Sequence, residues 1–407
     1  MFDRSHTDTL ALLRSRNPEK RAEGKILFKK QLDESIHGTS EQDQQLVFQS
    51  LSKNVIHLMH SNIPGDDIAA VSIQSVLVML PNLVQTQITR IINQLHSIFT
   101  SSDIMLTKEA TEVLEELIKK RNILVTKIVN SEVTRALEWL NAYNEISDSN
   151  KITAMMVLEA CCRATPTHMY EFLPKILNAL RNPLRDTRIK LRDGAAQTLF
   201  ECMVLLSSRD LVTRNQIYEK MYEDYILDIS KYTTEGLHGS LLVCKQLVSH
   251  SGMFMENHFN HVVEIILRLR EHREFLIRKE VMTLLPMLAN YNPSEITKAK
   301  GKDKSPMQRL MNYLINQTKR ERDQLVAFVA IGKMALATKE LYSPYLQTTF
   351  VTINDYLIFA QKNKGAVDLS PVFGCIGDIG KALGPVTTSN MKELLGIMLM
   401  SGLSKPL

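Results

Sequence analysis

The sequence predicts an all-α protein, an α-α superhelix in which helix pairs stack one behind another. Amphipathic helical segments follow one another in pairs, and the second segments recur at a step of roughly 40 to 47 residues. This step is typical of HEAT and armadillo arrays, in which each pair buries its apolar face only against its neighbours. We therefore expect a HEAT/armadillo-like solenoid of about nine helix pairs. The predicted centres of the second helices are Gly24, Ala69, Thr111, Met155, Ala195, Leu241, Val281, Ala327 and Gly374.

The composition agrees with a helical stack. Apolar residues make up 44% of the 407 residues and aromatic residues only 6%, as in a core of aliphatic helices. The 16 glycines and 13 prolines are too few for a chain of many β-hairpins. Charge is nearly balanced, with 49 basic and 44 acidic side chains, and the net charge of +5 is too small to indicate a nucleic-acid partner.

The cysteines and the apolar runs indicate a soluble protein. The five cysteines lie in apolar helical segments without CxxC spacing, which predicts reduced core residues. The N-terminus is polar and lacks the apolar stretch of a signal peptide. The longest apolar run, residues 68–80, is too short to cross a bilayer, so we expect no direct membrane insertion.

Three of the second helices begin in the same way. An early arginine (Arg21, Arg192 or Arg278) is followed by a small or β-branched residue and then by leucines three and four apart. A cation in the first turn is poorly placed for the helix dipole. We therefore predict that these arginines donate hydrogen bonds to carbonyls or to an Asp at the turn of the neighbouring repeat, which would give a ladder along the stack.

One segment breaks the helical rhythm. Residues 297–309 contain four lysines at alternate positions and no apolar period, which predicts a basic exposed loop. A solvated loop is the favoured interpretation. A partner-binding strip and a phosphorylation switch at Ser305, before Pro306, are the alternatives. The candidate partner-binding residues are Lys298, Lys300, Lys302 and Lys304.

The chain shows no pattern typical of catalysis. A Walker loop before Gly380 and Lys381 would need glycine and a hydroxyl where Cys375 and Ala382 stand. Gly374, Gly377 and Gly380 instead predict a smooth stripe for close helix packing, and the lone Trp139 is predicted to anchor the core. The paired histidines lack a third ligand, and kinase, hydrolase and metalloprotease strings do not occur. We predict no catalytic, cofactor-binding or metal-binding residue.

Several strings, in order, carry a family resemblance. They resemble the N-terminal HEAT region of target-of-rapamycin kinases, Ser/Thr kinases related to phosphatidylinositol kinases. The resemblance covers residues 105–407, and the first hundred residues match only in pattern. The strings are VTRALEWL (133–140), RDGAA (192–196), HGSLL (238–242), LLPMLA (284–289), VFGC (372–375), ALGP (382–385) and KELL (392–395).

The resemblance implies a non-catalytic scaffold arm within a nutrient and growth signalling complex. Its partners would be a raptor-like or rictor-like adaptor, the rest of the kinase chain and a second kinase copy in a dimer. ATP and Mg²⁺ would bind in a kinase domain of the parent protein, beyond this chain. A cytoplasmic location is implied, with lysosomal or vacuolar membranes reached through partners and the nucleus as an alternative.

Two further expectations concern the chain as a whole. We expect residues 1–407 to form a single solenoid that ends in the middle of an array, as a fragment or a truncated gene product. The alternative function is an independent HEAT-repeat scaffold or transport adaptor that binds other proteins.

Overall fold

The computed structural model describes residues 4–80, 83–120, 125–227, 229–298, 305–362 and 368–400. Within these residues every regular element is a helix, and no strand occurs. The α-helices are α1 (Arg4–Leu13), α2 (Pro18–Ile36), α3 (Glu41–Met59), α4 (Asp66–Val78), α5 (Gln85–Phe99), α6 (Ile104–Lys119), α7 (Val125–Asn141), α8 (Asp148–Ala164), α9 (Pro166–Met169), α10 (Leu173–Ala179), α11 (Arg181–Leu184), α12 (Ile189–Ser207), α13 (Leu211–Tyr222), α14 (Thr234–His250), α15 (Phe254–Leu269), α16 (Phe275–Tyr291), α17 (Pro293–Thr297), α18 (Pro306–Gln317), α19 (Gln324–Thr338), α20 (Leu346–Lys362), α21 (Ser370–Leu383) and α22 (Thr388–Met400). Short turns of π-helix (Glu223–Leu227) and 3-10 helix (Ile229–Lys231, Lys339–Tyr345 and Gly384–Thr387) join some of them.

The chain divides into two compact units, residues 1–208 and 209–407. In the first unit, the second helices α2, α4, α6, α8 and α12 pack against one another in chain order. In the second unit, α14, α16, α19 and α21 do the same. The prediction that the whole chain forms a single solenoid stays a prediction.

All nine predicted centres lie in these second helices, which confirms the repeat period. The first helix of a pair is less regular. In the fifth pair it is replaced by three short helices, α9 to α11, and each of them contains a proline. Proline is tolerated in the first turn of a helix but interrupts a longer one, so one long first helix cannot form there.

The early arginines donate to carbonyls of the turn that precedes their own helix, and Arg278 also reaches an Asp at the turn of the next pair, as predicted. The guanidinium of Arg278 donates to the carbonyls of His272 and Arg273 at 2.8 and 2.7 Å. Arg21 and Arg192 reach back to the carbonyls five and six residues earlier in the same way. Each arginine therefore ties the start of its second helix to the turn that precedes it.

Two of these arginines also reach a later helix pair. Arg278 donates from Nε and Nη2 to the two carboxylate oxygens of Asp323, at 2.9 and 3.1 Å. Arg21 pairs with Glu109 of α6 at 2.6 Å. Arg278 and Asp323 are 9% and 0% exposed, so the pair is shielded from water and its hydrogen bonds are charge-assisted.

The prediction that the glycine stripe of α21 permits close helix packing is wrong for Gly374 and Gly377. A Cβ atom placed on Gly374 or Gly377 would meet no atom within 4 Å, because these two residues face away from the neighbouring helices. The close approach comes from Gly332 of α19, where a Cβ would lie 2.9 Å from the Cα of Cys375. The small residue at this helix crossing is therefore on the partner helix.

The cysteines and the tryptophan differ in how well they were predicted. All five cysteines are buried and free, as predicted, and burial raises the pKa of the Cys161 thiol well above its usual value.

Trp139 is only partly buried, and the guanidinium of Arg135 stacks on it at 5.2 Å from the ring centre. It packs under a cation at the surface of α7 and does not anchor the core.

Removing the buried guanidinium of Arg278 should destabilise the chain strongly. We expect Arg278→Ala to lower the free energy of unfolding by about 3–5 kcal/mol, because it leaves the carboxylate of Asp323 buried without its cation. Urea unfolding followed by circular dichroism measures this loss. The matched control is Arg273→Ala, whose side chain is 84% exposed and should cost less than about 0.5 kcal/mol. Equal effects of the two changes would contradict the assigned role.

Adding one methyl group to two different glycines should have opposite effects. Gly332→Ala should destabilise the chain by about 1–3 kcal/mol, because α21 lies too close for a Cβ. Gly377→Ala should stabilise it by about 0.5–1 kcal/mol, because the site is open and alanine favours the helix. Thermal unfolding of both variants checks the signs, and destabilisation by Gly377→Ala would show that the stripe is packed after all.

Candidate interaction surfaces

The predicted basic loop, residues 297–309, is shorter in the structure, because Thr297 ends α17 and residues 306–309 begin α18. Lys298 follows the end of α17, where it is exposed and pairs with Glu295 at 2.6 Å. Lys300, Lys302 and Lys304 lie outside the described residues. The partner-binding role of these four lysines stays a prediction.

Ser305 is the N-cap of α18. Its hydroxyl accepts a hydrogen bond from the backbone N–H of Gln308 at 3.2 Å, and Pro306 occupies the first helical position. A phosphate on Ser305 would place negative charge at a helix N-terminus, where the dipole favours it. Phosphorylation of Ser305 stays a prediction.

A polar cavity of about 740 Å³ lies beside the two ends of this loop. Helices α15, α17 and α18 form it. Three arginines and three glutamates share its walls, so their charges offset one another. The charged lining residues are Glu264, Arg268, Arg270, Glu271, Glu295 and Arg309.

In the first unit, charged side chains link three successive second helices. Arg163 of α8 pairs with Glu115 of α6 at 2.9 Å and with Glu201 of α12 at 3.0 Å. Lys119 also pairs with Glu115, at 2.8 Å. These contacts form a ladder of ion pairs across the exposed side of the second helices.

Glu159 of α8 differs from the other acids of this ladder. Burial, helped by the nearby charge of Glu201, raises the pKa of its carboxyl to about 7, although the hydrogen bond from Thr198 and the charge of Arg163 act to lower it. Its Oε1 lies 3.0 Å from the hydroxyl of Thr198, and that hydroxyl lies 3.1 Å from the carbonyl of Gly194. The hydroxyl of Thr198 can donate to the carboxylate of Glu159 or to this carbonyl, and a protonated Glu159 can in turn donate to the hydroxyl. Sequence reasoning missed Glu159, because its spacing resembles that of any surface acid.

The side chains in the described parts of the chain are not arranged for metal chemistry. No group of three or more His, Cys, Asp or Glu residues there could hold a metal ion. His258 and His261 instead pack beside Tyr222, and His261 hydrogen-bonds its hydroxyl. Among the described helices, none is both long enough and apolar enough to span a bilayer.

Sequence comparison finds relatives of this chain among serine/threonine-protein kinases. Serine/threonine-protein kinase tor1 of Schizosaccharomyces pombe is 30% identical to it, over 78% of this chain and 13% of the relative. Serine/threonine-protein kinase TOR2 of Saccharomyces cerevisiae is 26% identical, over 95% of this chain and 16% of the relative. Serine/threonine-protein kinase TOR of Arabidopsis thaliana is 24% identical, over 94% and 15%. The resemblance to target-of-rapamycin kinases is confirmed.

The matched part of the target-of-rapamycin kinases is their helical N-terminal region. The chain spans about one sixth or less of the length of the three relatives. No protein-family model matches it.

Solved structures share the fold with this chain. Kap95 in a complex with Nup1 superposes with a TM-score of 0.59 and 12% identity, over all of this chain and 49% of that one. The karyopherin Kap121p bound to the SUMO protease Ulp1p gives 0.51 and 13%, over 97% and 43%. At so low an identity the likeness shows the fold alone. The predicted α-α superhelix of HEAT-like repeats is confirmed.

The environment of Glu159 predicts a pH-dependent stability. Because its pKa is higher in the folded chain than its ordinary value of 4.5, the folded chain holds this proton more tightly than the unfolded chain. The contribution of Glu159 to stability is therefore largest below pH 4.5 and is lost as the pH rises through about 7. Glu159→Gln should raise the free energy of unfolding by on the order of 1 kcal/mol at alkaline pH, and by much less at acidic pH.

Urea unfolding of the two proteins above pH 7 and below pH 5 measures this difference. The control is Glu116→Gln, a half-exposed acid of α6, which should change stability by less than about 0.5 kcal/mol at either pH. A Glu159→Gln variant that is less stable than the parent at alkaline pH would contradict the assignment.

Proposed function

We propose that this chain is a non-catalytic scaffold arm of a target-of-rapamycin-like Ser/Thr kinase, and that it binds a raptor-like adaptor in nutrient and growth signalling. The observation that supports this most directly is the match to these kinases over 78–95% of the chain. A rictor-like adaptor would serve the same role in a second type of complex. The kinase activity, with its ATP and Mg²⁺, belongs in this proposal to a separate part of the parent protein.

The physical basis for binding is the surface of a stack. A stable protein complex buries about 1,600 Å² in total, which a row of helices can supply without a pocket. In the second unit, α19 exposes Val329 and Leu336 at 37% and 36%. On the adjacent helix α21, Gly374 and Gly377 are open to solvent. This surface combines exposed aliphatic side chains with the cations Lys333 and Lys381, a mixture that suits a partner protein.

The proposal extends to assembly and location. The chain would hold the adaptor beside the rest of the kinase, and two kinase copies would form the complex. It would reside in the cytoplasm and reach lysosomal or vacuolar membranes only through its partners, with the nucleus as an alternative.

Affinity capture tests the proposal. The 407-residue chain, immobilised and exposed to extract from cells of its source, should enrich a raptor-like or rictor-like protein and full-length kinase, as identified by mass spectrometry. A HEAT-repeat segment of a karyopherin of equal length is the control for the fold. Val329→Glu with Leu336→Glu should reduce adaptor recovery at least fivefold. The pair Leu46→Glu with Ile56→Glu, at exposed positions of α3, should leave it unchanged.

Two results would contradict the proposal. One is the absence of both adaptor and kinase from the captured proteins. The other is recovery of the same proteins by the karyopherin segment, because binding would then reflect only the shared fold. Capture of transport cargo in their place would favour the alternative of an independent transport adaptor.

A further inference from the structure

The first unit contains an apolar groove that its own helices do not fill. The groove lies between α3 and α5, above the C-terminal ends of α2 and α4, and encloses about 520 Å³. We call it the α3–α5 groove. Its floor is formed by Leu32, Phe48 and Leu77, which are at most 4% exposed. Its walls include Val47, Leu51 and Val84, which remain in contact with solvent.

The shape of the groove favours a helical occupant. Residues from Glu41 to Leu51 line it at helical spacing along one face of α3, a length of about 15 Å, or nearly three turns. The segments that form it are mainly helical, so their backbone groups are already bonded and offer no strand edge for an extended peptide. Side-chain insertion by an amphipathic helix is the mode of recognition that remains.

The polar residues of the groove select the charge of the occupant. Two exposed carboxylates, Asp33 and Glu41, stand on its rim with the amides of Gln44 and Gln87. No lysine or arginine is among the described residues that line it. Lys29 and Lys30 of α2 line a neighbouring depression, which shares Asp33 and His37 with the groove but does not include Glu41. A cation at the edge of the bound helix would meet the carboxylates of Asp33 and Glu41, and His37 is the one basic side chain among the described residues that line the groove.

We propose that the α3–α5 groove docks an amphipathic helix of a partner protein, which inserts an aliphatic row and places lysine or arginine beside Asp33 and Glu41. This inference goes beyond the scaffold proposal and holds whichever adaptor the chain binds.

Synthetic helices test the groove directly. The probes are three labelled 18-residue peptides with leucine at helical spacing and with lysine, glutamate or glutamine at the remaining positions. Fluorescence anisotropy with the 407-residue chain, at low ionic strength, should show the lysine peptide binding at least tenfold more tightly than the other two. The net charge of +5 favours the glutamate peptide in any non-specific binding, so a preference for lysine must come from local acids.

Three variants locate the binding. Val84→Asp, at a 41% exposed position of the groove wall, should weaken the lysine peptide at least tenfold. Met79→Asp, at a 58% exposed position that does not line the groove, is its control and should have no effect. Asp33→Asn with Glu41→Gln should abolish the preference for lysine over glutamine. Asp33 and Glu41 are both exposed, so this double variant should fold. It therefore still tests the inference if circular dichroism shows that Val84→Asp is unfolded.

Several outcomes would overturn the inference. Equal binding of the lysine and glutamine peptides would show a purely apolar cavity, and stronger binding of the glutamate peptide would reverse the assigned charge. A preference for lysine that survives loss of both acids, or an effect of Met79→Asp as large as that of Val84→Asp, would place the binding elsewhere. None of these results depends on capture of a raptor-like protein, so failure here is separable from failure of the proposed function.

Discussion

The buried arginine at the start of a second helix is the interaction on which the helix pairs most visibly depend. A guanidinium that has left water must recover all its hydrogen bonds, and carbonyls five and six residues earlier supply two of them. Because those carbonyls belong to the turn, the same bonds fix the direction in which the second helix leaves it. The carboxylate of Asp323 then extends the restraint from one pair to a later one. In this way one side chain sets both the geometry within a pair and the register between pairs.

The first and second helices of a pair have different surroundings. The second helices pack in unbroken order within each unit, and in the first unit their outer side is tied together by Arg163 and its acids. On a side so cross-linked, the charged groups named here are already paired with one another. Among the described first helices, His96 of α5 pairs with Glu132 of α7, whereas α3 and α5 separate enough to leave an apolar groove. Loose packing between first helices is therefore what opens a docking site.

The sequence was sufficient for the repeat and for the arginines, because both depend on local patterns. Helical periodicity placed all nine second helices. The position of Arg278 in the first turn of its helix predicted carbonyls and a neighbouring Asp as its hydrogen-bond partners. It was insufficient wherever the answer lies on another helix. The stripe from Gly374 to Gly377 looked like a packing face, yet the partner helix α19 brings its own glycine, Gly332, to the crossing. Glu159 and the α3–α5 groove escaped notice for the same reason, since the burial and gaps that define them arise only between repeats.

The comparison with karyopherins helps to separate fold from function in this chain. A TM-score of 0.59 at 12% identity means that unrelated side chains can build the same stack, so the stack itself cannot specify a partner. Specificity must come from side chains that the packing does not use. In the described residues these include the lysine at position 298, the open surface of α19 and α21, and the acids on the rim of the groove. The groove lies in the first unit, and Lys298 and the surface of α19 and α21 lie in the second, so a substitution at one of these surfaces leaves the residues of the others unchanged.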